Sequence, residues 1–374
     1  MKRVTSWILA LSVLTLGSIV PISSQAQTVR LAAAPSHGEY ETIVQESQAL
    51  IDSVMSARNI AGLAVAVSVQ GQMIWSEGFG WANIETRTPV ETTTRFRIGS
   101  VSKPLSAIAI GLLYDQGRLD LDAPIQQYVP AFPEKEKGVI TTRLLAGHLA
   151  GVRHYNGLEF LSTERYPNVT AGLDIFKDDT LQTPPGTRWS YSSYGWNLIS
   201  AVIEGASGEE FIKYMTDNVL IPLGLRHTVA DHTDSIILGR TGYYDRTDDG
   251  ALINSPYVDN SYKWAGGGYL STPEDMVRFA NALLGGEILE PETVQMFWIS
   301  QRKTDGEESG YGIGWAVRDS DGVRVVNHGG GSVGGNCWLA IVPEAGVVFA
   351  ITSNMSGAGW GDVPARILQK FAGM

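Results

Sequence analysis

The chain has 374 residues, of which 44% are hydrophobic and 18% charged, with a formal net charge of −11. That length and apolar share support one large domain or two sharing an interface, and exclude wholesale disorder. The acidic balance excludes the basic footprint of a nucleic-acid binder, and the single cysteine, Cys337, excludes an intramolecular disulfide or a cysteine-based zinc site.

Lys2 and Arg3 precede an apolar run from Trp7 to Val20, and Ser24-Gln-Ala26 places small residues at −3 and −1. This reads as a secretory signal cleaved after Ala26, leaving residues 27–374 as a single exported or periplasmic domain. No other stretch reaches the ~18 apolar residues of a spanning helix, so no stable membrane insertion is expected after cleavage. With no cysteine at the cleavage site, a lipid anchor is not expected either.

From Glu39 to Ala57 apolar residues recur at helical spacing. Residues 62–70 then alternate, Gly71-Gln72 makes a turn, and Met73-Ile-Trp75 returns as a strand, predicting a β-hairpin. A helix is predicted from about Ser100 to just before Gly117, and another follows Ser193 through Leu198, Ile199, Val202 and Ile203. Thr272, Pro273 and Asp275 match the cap, first and third positions of a further helix. Residues 312–317, 323–327, 336–342 and 347–352 read as four antiparallel strands, and 363–371 as a closing helix. The lone Cys337 in its apolar strand reads as a buried small residue. The expected fold class is α/β: an antiparallel sheet built from both chain ends (27–99 and 300–374), flanked by helices, with a mainly helical insertion (100–299) and a cleft between.

Three separated segments carry chemistry. Ser100-Val-Ser-Lys103 opens a helix, where free N–H groups favour negative charge, and Lys103 shares a face with Ser100. A serine hydroxyl is a poor nucleophile until its proton is taken, and a desolvated amine can take it. Ser102 faces away from that row. Tyr191-Ser-Ser193 lies in the loop entering the next helix, where a phenol near a lysine can serve as general base. Asn327-His328-Gly-Gly330-Gly331-Ser332 lies between two strands, and bare glycine backbone admits a substrate closely. The N–H groups near Gly331 and Ser100 would form an oxyanion hole. Gly330-Gly-Ser332-Val-Gly334 also matches G-x-S-x-G, but that motif needs a helix after the serine and a later histidine. A strand follows instead, and His328 is the last histidine. The six histidines show no metal-binding spacing, so neither a metal nor a cofactor is expected. His227 and His232, beside Asp231, read as a solvated loop.

The order S-x-x-K, Y-x-S, H-G-G-G resembles the serine β-lactamase and penicillin-binding-protein superfamily, in its class C-like branch, and in particular the mitochondrial β-lactamase-like serine peptidases of the LACTB type. Ile140–Tyr155 and the stretch Asn254-Ser-Pro-Tyr-Val-Asp-Asn-Ser-Tyr-Lys263-Trp-Ala-Gly-Gly-Gly268 carry the same resemblance. It implies a β-lactamase/transpeptidase-like fold and a serine hydrolase that forms an acyl-enzyme. Ser100 would be nucleophile, and Lys103 and Tyr191 would share the proton transfer. Ser193, His328 and Gly330 would contact substrate, and Ser100 and Gly331 would hold the oxyanion. Where lactamases carry Asn and Lys in the second and third motifs, this chain has Ser193 and His328, which weakens recognition of a lactam carboxylate. A small-molecule or peptide substrate is expected, a peptide amide ahead of an ester or β-lactam. A penicillin-binding cell-wall enzyme and a non-catalytic, self-associating scaffold are the alternatives. Lys263 and Trp264 either line the cleft or pack as its rim, and no role is assigned to them.

Overall fold

The computed structural model describes residues 38–320 and 322–374, so the expected signal segment lies outside the described residues. The elements that position the site are α1 (Glu41–Arg58), β1 (Gly62–Val69), β2 (Gln72–Asn83), α2 (Ser102–Asp115), α3 (Ser193–Ser207), α4 (Pro273–Leu284), β3 (Ala316–Ser320), β4 (Val323–Ser332), β5 (Gly335–Val342), β6 (Val347–Ser353) and α5 (Val363–Ala372).

One antiparallel sheet runs in the order β2-β1-β6-β5-β4-β3, with the two-residue strand Thr88–Pro89 outside β2. The two ends of the chain therefore meet at its centre, where β1 pairs with β6 from Leu63 opposite Ser353 to Val69 opposite Val347. Alternation along the strands sorts side chains to two faces, as the period-two pleat requires. Leu63, Val65, Val67, Phe349 and Ile351 face α1 and α5, where Trp75 stacks on Phe371 at 6.3 Å. Ala66, Leu339, Ile341, Val348 and Ala350 face a larger core with α2, α3 and α4. Helix α4 begins as expected, with the Thr272 hydroxyl accepting from the Asp275 N–H at 3.2 Å and Pro273 in the first turn.

The fold is thus mixed α/β, as expected, with helices on both faces of the sheet. Four details differ from expectation. The strand expected over residues 312–317 begins only at Ala316 and runs to Ser320. The returning strand expected over residues 73–75 extends from Gln72 to Asn83. Two more concern the glycine run and the loop around Asp231. The glycine run His328–Ser332 is not a connection between strands but the second half of β4, and Val333-Gly334 makes the turn. Glycine weakens strand propensity, but here β4 is held by seven-residue pairing with β5 from Val326 to Ser332. The loop around Asp231 is also less solvated than expected. Asp231 is 1% exposed and pairs with Arg97 at 2.7 Å, because an arginine buried beneath the Val333 turn requires an anion. Cys337 is buried as expected, with its sulfur 3.5 Å from that of Met276. Among the described residues no helix is long and apolar enough to cross a membrane.

Candidate active site

Ser100 sits in a single 3₁₀ turn, Gly99–Val101, that leads directly into α2. The turn is possible because Gly99 takes φ +49°, and because a Cβ there would stand 2.5 Å from the Gly331 carbonyl oxygen. Gly330 is just as tight, since its Cβ would stand 2.0 Å from the Ile98 oxygen. Backbone thus packs on backbone, and the start of α2 is laid against β4 at Gly331. Nothing lies within 4 Å of the position a Gly331 Cβ would occupy, so this residue faces open space. Ser102 is buried, with its hydroxyl accepting from the Tyr269 N–H at 3.3 Å, away from the cleft.

Lys103 is fully buried in the first turn of α2. Its Nζ lies 2.9 Å from Ser100 Oγ, 3.3 Å from Ser193 Oγ and 2.6 Å from the Gly266 carbonyl oxygen. Among the described residues no carboxylate pairs with it. Burial, and then the nearby Lys263 ammonium, hold the amine well below the ordinary lysine range. A neutral amine has two hydrogens and one lone pair. Donating to Gly266 and Ser193 leaves the lone pair for the Ser100 hydroxyl.

Tyr191 completes the group. Its ring centre is 5.0 Å from Lys103 Nζ, and its phenol shares hydrogen bonds with the hydroxyls of Ser100 and Ser193. Burial pushes the phenol up to about 12, although both hydroxyls pull the other way. The loop carrying it is fixed by two histidines of the 148–154 segment. His148 Nδ1 accepts from the Ser192 N–H and His154 Nδ1 from the Ser193 N–H, each at 3.1 Å. Ser192 caps α3 by accepting from the Gly195 N–H at 2.9 Å and donates to the Arg153 carbonyl at 2.7 Å. Both histidines must be neutral to accept, and both are held low, His148 by full burial and the partly covered His154, at about 4, chiefly by desolvation of its ring.

The structure brings Ser100, Tyr191, Ser193 and Gly331 to the lining of one cavity of about 80 Å³, with Lys103 behind them. His328 and Gly330 are set back from that lining. The His328 ring is spanned between the Tyr311 hydroxyl (2.7 Å from Nε2) and the Gly329 oxygen (2.6 Å from Nδ1). Burial and Lys103 keep it neutral, at about 3. Its ring lies 6.4 Å from that of Tyr191, so it buttresses the phenol's surroundings. The cavity also takes in His154, Tyr155, Phe160 and Lys263. Sequence reasoning gave Tyr155 and Phe160 no role, because an aromatic in a loop looks the same whether it lines a core or a cleft. Among the described residues no cluster of side chains fit to hold a metal ion occurs.

A serine backed by a buried amine, on an antiparallel sheet covered by helices, belongs to the class of serine hydrolases. The chain is a member of the beta-lactamase family, whose model, described as "Beta-lactamase", matches residues 47–373. It is 30% identical to the human "Serine beta-lactamase-like protein LACTB, mitochondrial" over 95% of this chain and 83% of that protein. It is 26% identical to a D-aminopeptidase of Gluconobacter oxydans over 79% of this chain and 56% of that protein. Among solved structures, an octameric penicillin-binding protein homologue from Pyrococcus abyssi superposes with a TM-score of 0.77 at 24% identity, covering 88% of this chain and 77% of that one.

Proposed function

We propose that this protein hydrolyses a peptide or amide bond through an acyl-enzyme on Ser100. The observation that carries the reading is Lys103: a fully buried amine, unpaired with any carboxylate among the described residues, 2.9 Å from the serine oxygen. Ser100 Oγ attacks the carbonyl carbon while its proton passes to Lys103 Nζ. The N–H groups of Ser100 and Gly331 receive the oxyanion, at a typical ~3–4 kcal/mol per donor. The C–N bond then breaks, and the amine leaves with a proton delivered through Tyr191. Water attacks the acyl-enzyme, Ser100 regains its proton, and the acid is released. Tyr191, pushed up to about 12, stays a neutral phenol near pH 7, which supports Lys103 as the base and Tyr191 as the relay. Ser193 orients Lys103, and His328 and Gly330 position the strand and phenol from behind. The names of the LACTB and D-aminopeptidase relatives support an amide ahead of an ester substrate.

The test is labelling by a fluorophosphonate with mass-spectrometric mapping. The expected adduct is on Ser100, lost in Ser100→Ala and strongly reduced in Lys103→Ala. Hydrolysis of a peptide and ester panel that survives Ser100→Ala would overturn the reading. Export of the chain after cleavage at Ala26 is part of the same proposal. N-terminal sequencing of protein from the exported fraction is expected to begin at Gln27, and retention of Met1 would contradict it.

A further inference from the structure

Among the described residues Lys263 is the uncommitted cation of the site. It lines the same cavity as Ser100, yet it is only 2% exposed. Its ammonium lies over three rings, at 4.6 Å from Phe160, 5.3 Å from Tyr262 and 5.8 Å from Tyr155. Among the described residues its amine has no ion pair and no hydrogen bond. The nearest acidic influence, Asp231, is already held by Arg97 at 2.7 Å and by Asn260 at 2.8 Å. Burying an ammonium is costly unless an anion or an equivalent partner meets it. Aromatic faces offset part of that cost. The remainder is kept in an acidic protein, on the wall of the cavity that receives the substrate. The other two buried cations nearby are engaged, Lys103 with Ser100 and Gly266, and Arg97 with Asp231 and the Val333 carbonyl.

Resting on the acyl-enzyme reading, we infer that Lys263 recognises a carboxylate on the substrate, so that the enzyme acts on carbonyl compounds bearing a second, anionic group. Tyr155 and Phe160 flank the cavity beside it and supply the apolar walls for the carbon chain between carbonyl and carboxylate. His328 has both ring nitrogens occupied and offers no cation there. Burial and Arg97 bring the Lys263 amine down to about 7, a value that a bound carboxylate raises.

The experiment compares wild type with Lys263→Met, a volume-conserving change that suits an aromatic surround. The substrates are 4-nitrophenyl monoesters of succinate, glutarate and adipate, each against its neutral methyl diester, and the butyryl ester of 3-hydroxybenzoate against that of its methyl ester. At pH 6.5 wild type is expected to favour the charged member of at least one pair tenfold or more in kcat/KM. Lys263→Met is expected to lower that ratio at least tenfold, through KM. A lysine that only tunes Lys103 would alter both members alike and leave the ratio in place, which overturns the inference, as does the lack of any charged preference in wild type. If the wild type turns over none of these esters, the hydrolase reading fails for them, and the carboxylate site is decided by binding. Glutarate is then expected to raise the Tm of Ser100→Ala and not that of Ser100→Ala with Lys263→Met. An equal response of the two overturns the inference.

Discussion

In the proposed mechanism Lys103 ties the chemistry to pH through one proton. The amine would have to be neutral to accept the serine proton, so kcat/KM is expected to fall as pH falls through its depressed folded pKa. The Lys263 charge contributes to that depression. In Lys263→Met the acid limb of the profile on a neutral substrate is therefore expected to move to higher pH, measured as kcat/KM against pH. Tyr191→Phe keeps the ring but removes the hydroxyl shared with Ser100 and Ser193. It is expected to lower kcat by ~10²–10⁴, the range for a proton-transfer group, with little change in Tm. His328 acts on stability. Its folded pKa of about 3 lies below the unfolded ~6.5, so the unfolded chain binds the proton first and acidification favours unfolding. The loss begins near the unfolded value and amounts to about 3 kcal/mol by pH 4 at ~1.4 kcal/mol per pH step. Urea unfolding of the wild type and His328→Gln at pH 7 and pH 4.5 is expected to show a smaller drop in the variant.

The contact between the Ser100 turn and β4 rests on two glycines with opposite surroundings. Gly330→Ala drives a methyl into the Ile98 carbonyl, and is expected to cost ~1–3 kcal/mol and to lower kcat by moving Gly331 relative to Ser100. Gly331→Ala meets open space and is expected to stay within ~1 kcal/mol of the wild type in denaturant unfolding. Much of this was legible beforehand. The alternation of 62–70, 336–342 and 347–352 marked the strands, and Thr272-Pro273 marked the start of α4, because pleat period and caps are local rules. Ser100 with Lys103 was legible since three residues on a helix fix their separation. The extent of β4 through His328–Ser332 was not, because glycine propensity points to a turn and only pairing with β5 overrides it. Nor was the retreat of His328 toward Tyr311, which depends on a partner 17 residues away on another segment.

At the scale of the molecule, Arg97 and Asp231 join the sheet-bearing part to the helical middle. The guanidinium reaches the Val333 carbonyl at 2.9 Å and covers the Tyr243 ring at 3.8 Å, while Asp231 also receives Asn260. Asp231→Ala leaves that charge buried without its anion. It is expected to cost ~3–5 kcal/mol in denaturant unfolding, far more than an exposed pair such as Arg165 with Asp234. The sequence pattern read this loop as solvated because two histidines and a carboxylate carry no mark of burial until Arg97 is placed beneath them.

The pairing of β1 with β6 sets a schedule for biosynthesis. On the ribosome, β1 is made early yet lacks one of its two neighbours until residues 347–353 have been translated. Contacts of such sequence separation form late and slowly. A nascent or prematurely terminated polypeptide short of Val347 would have a gap at the middle of the sheet rather than a frayed edge. Acquisition of the native state is thereby tied to translation of residues 347–353.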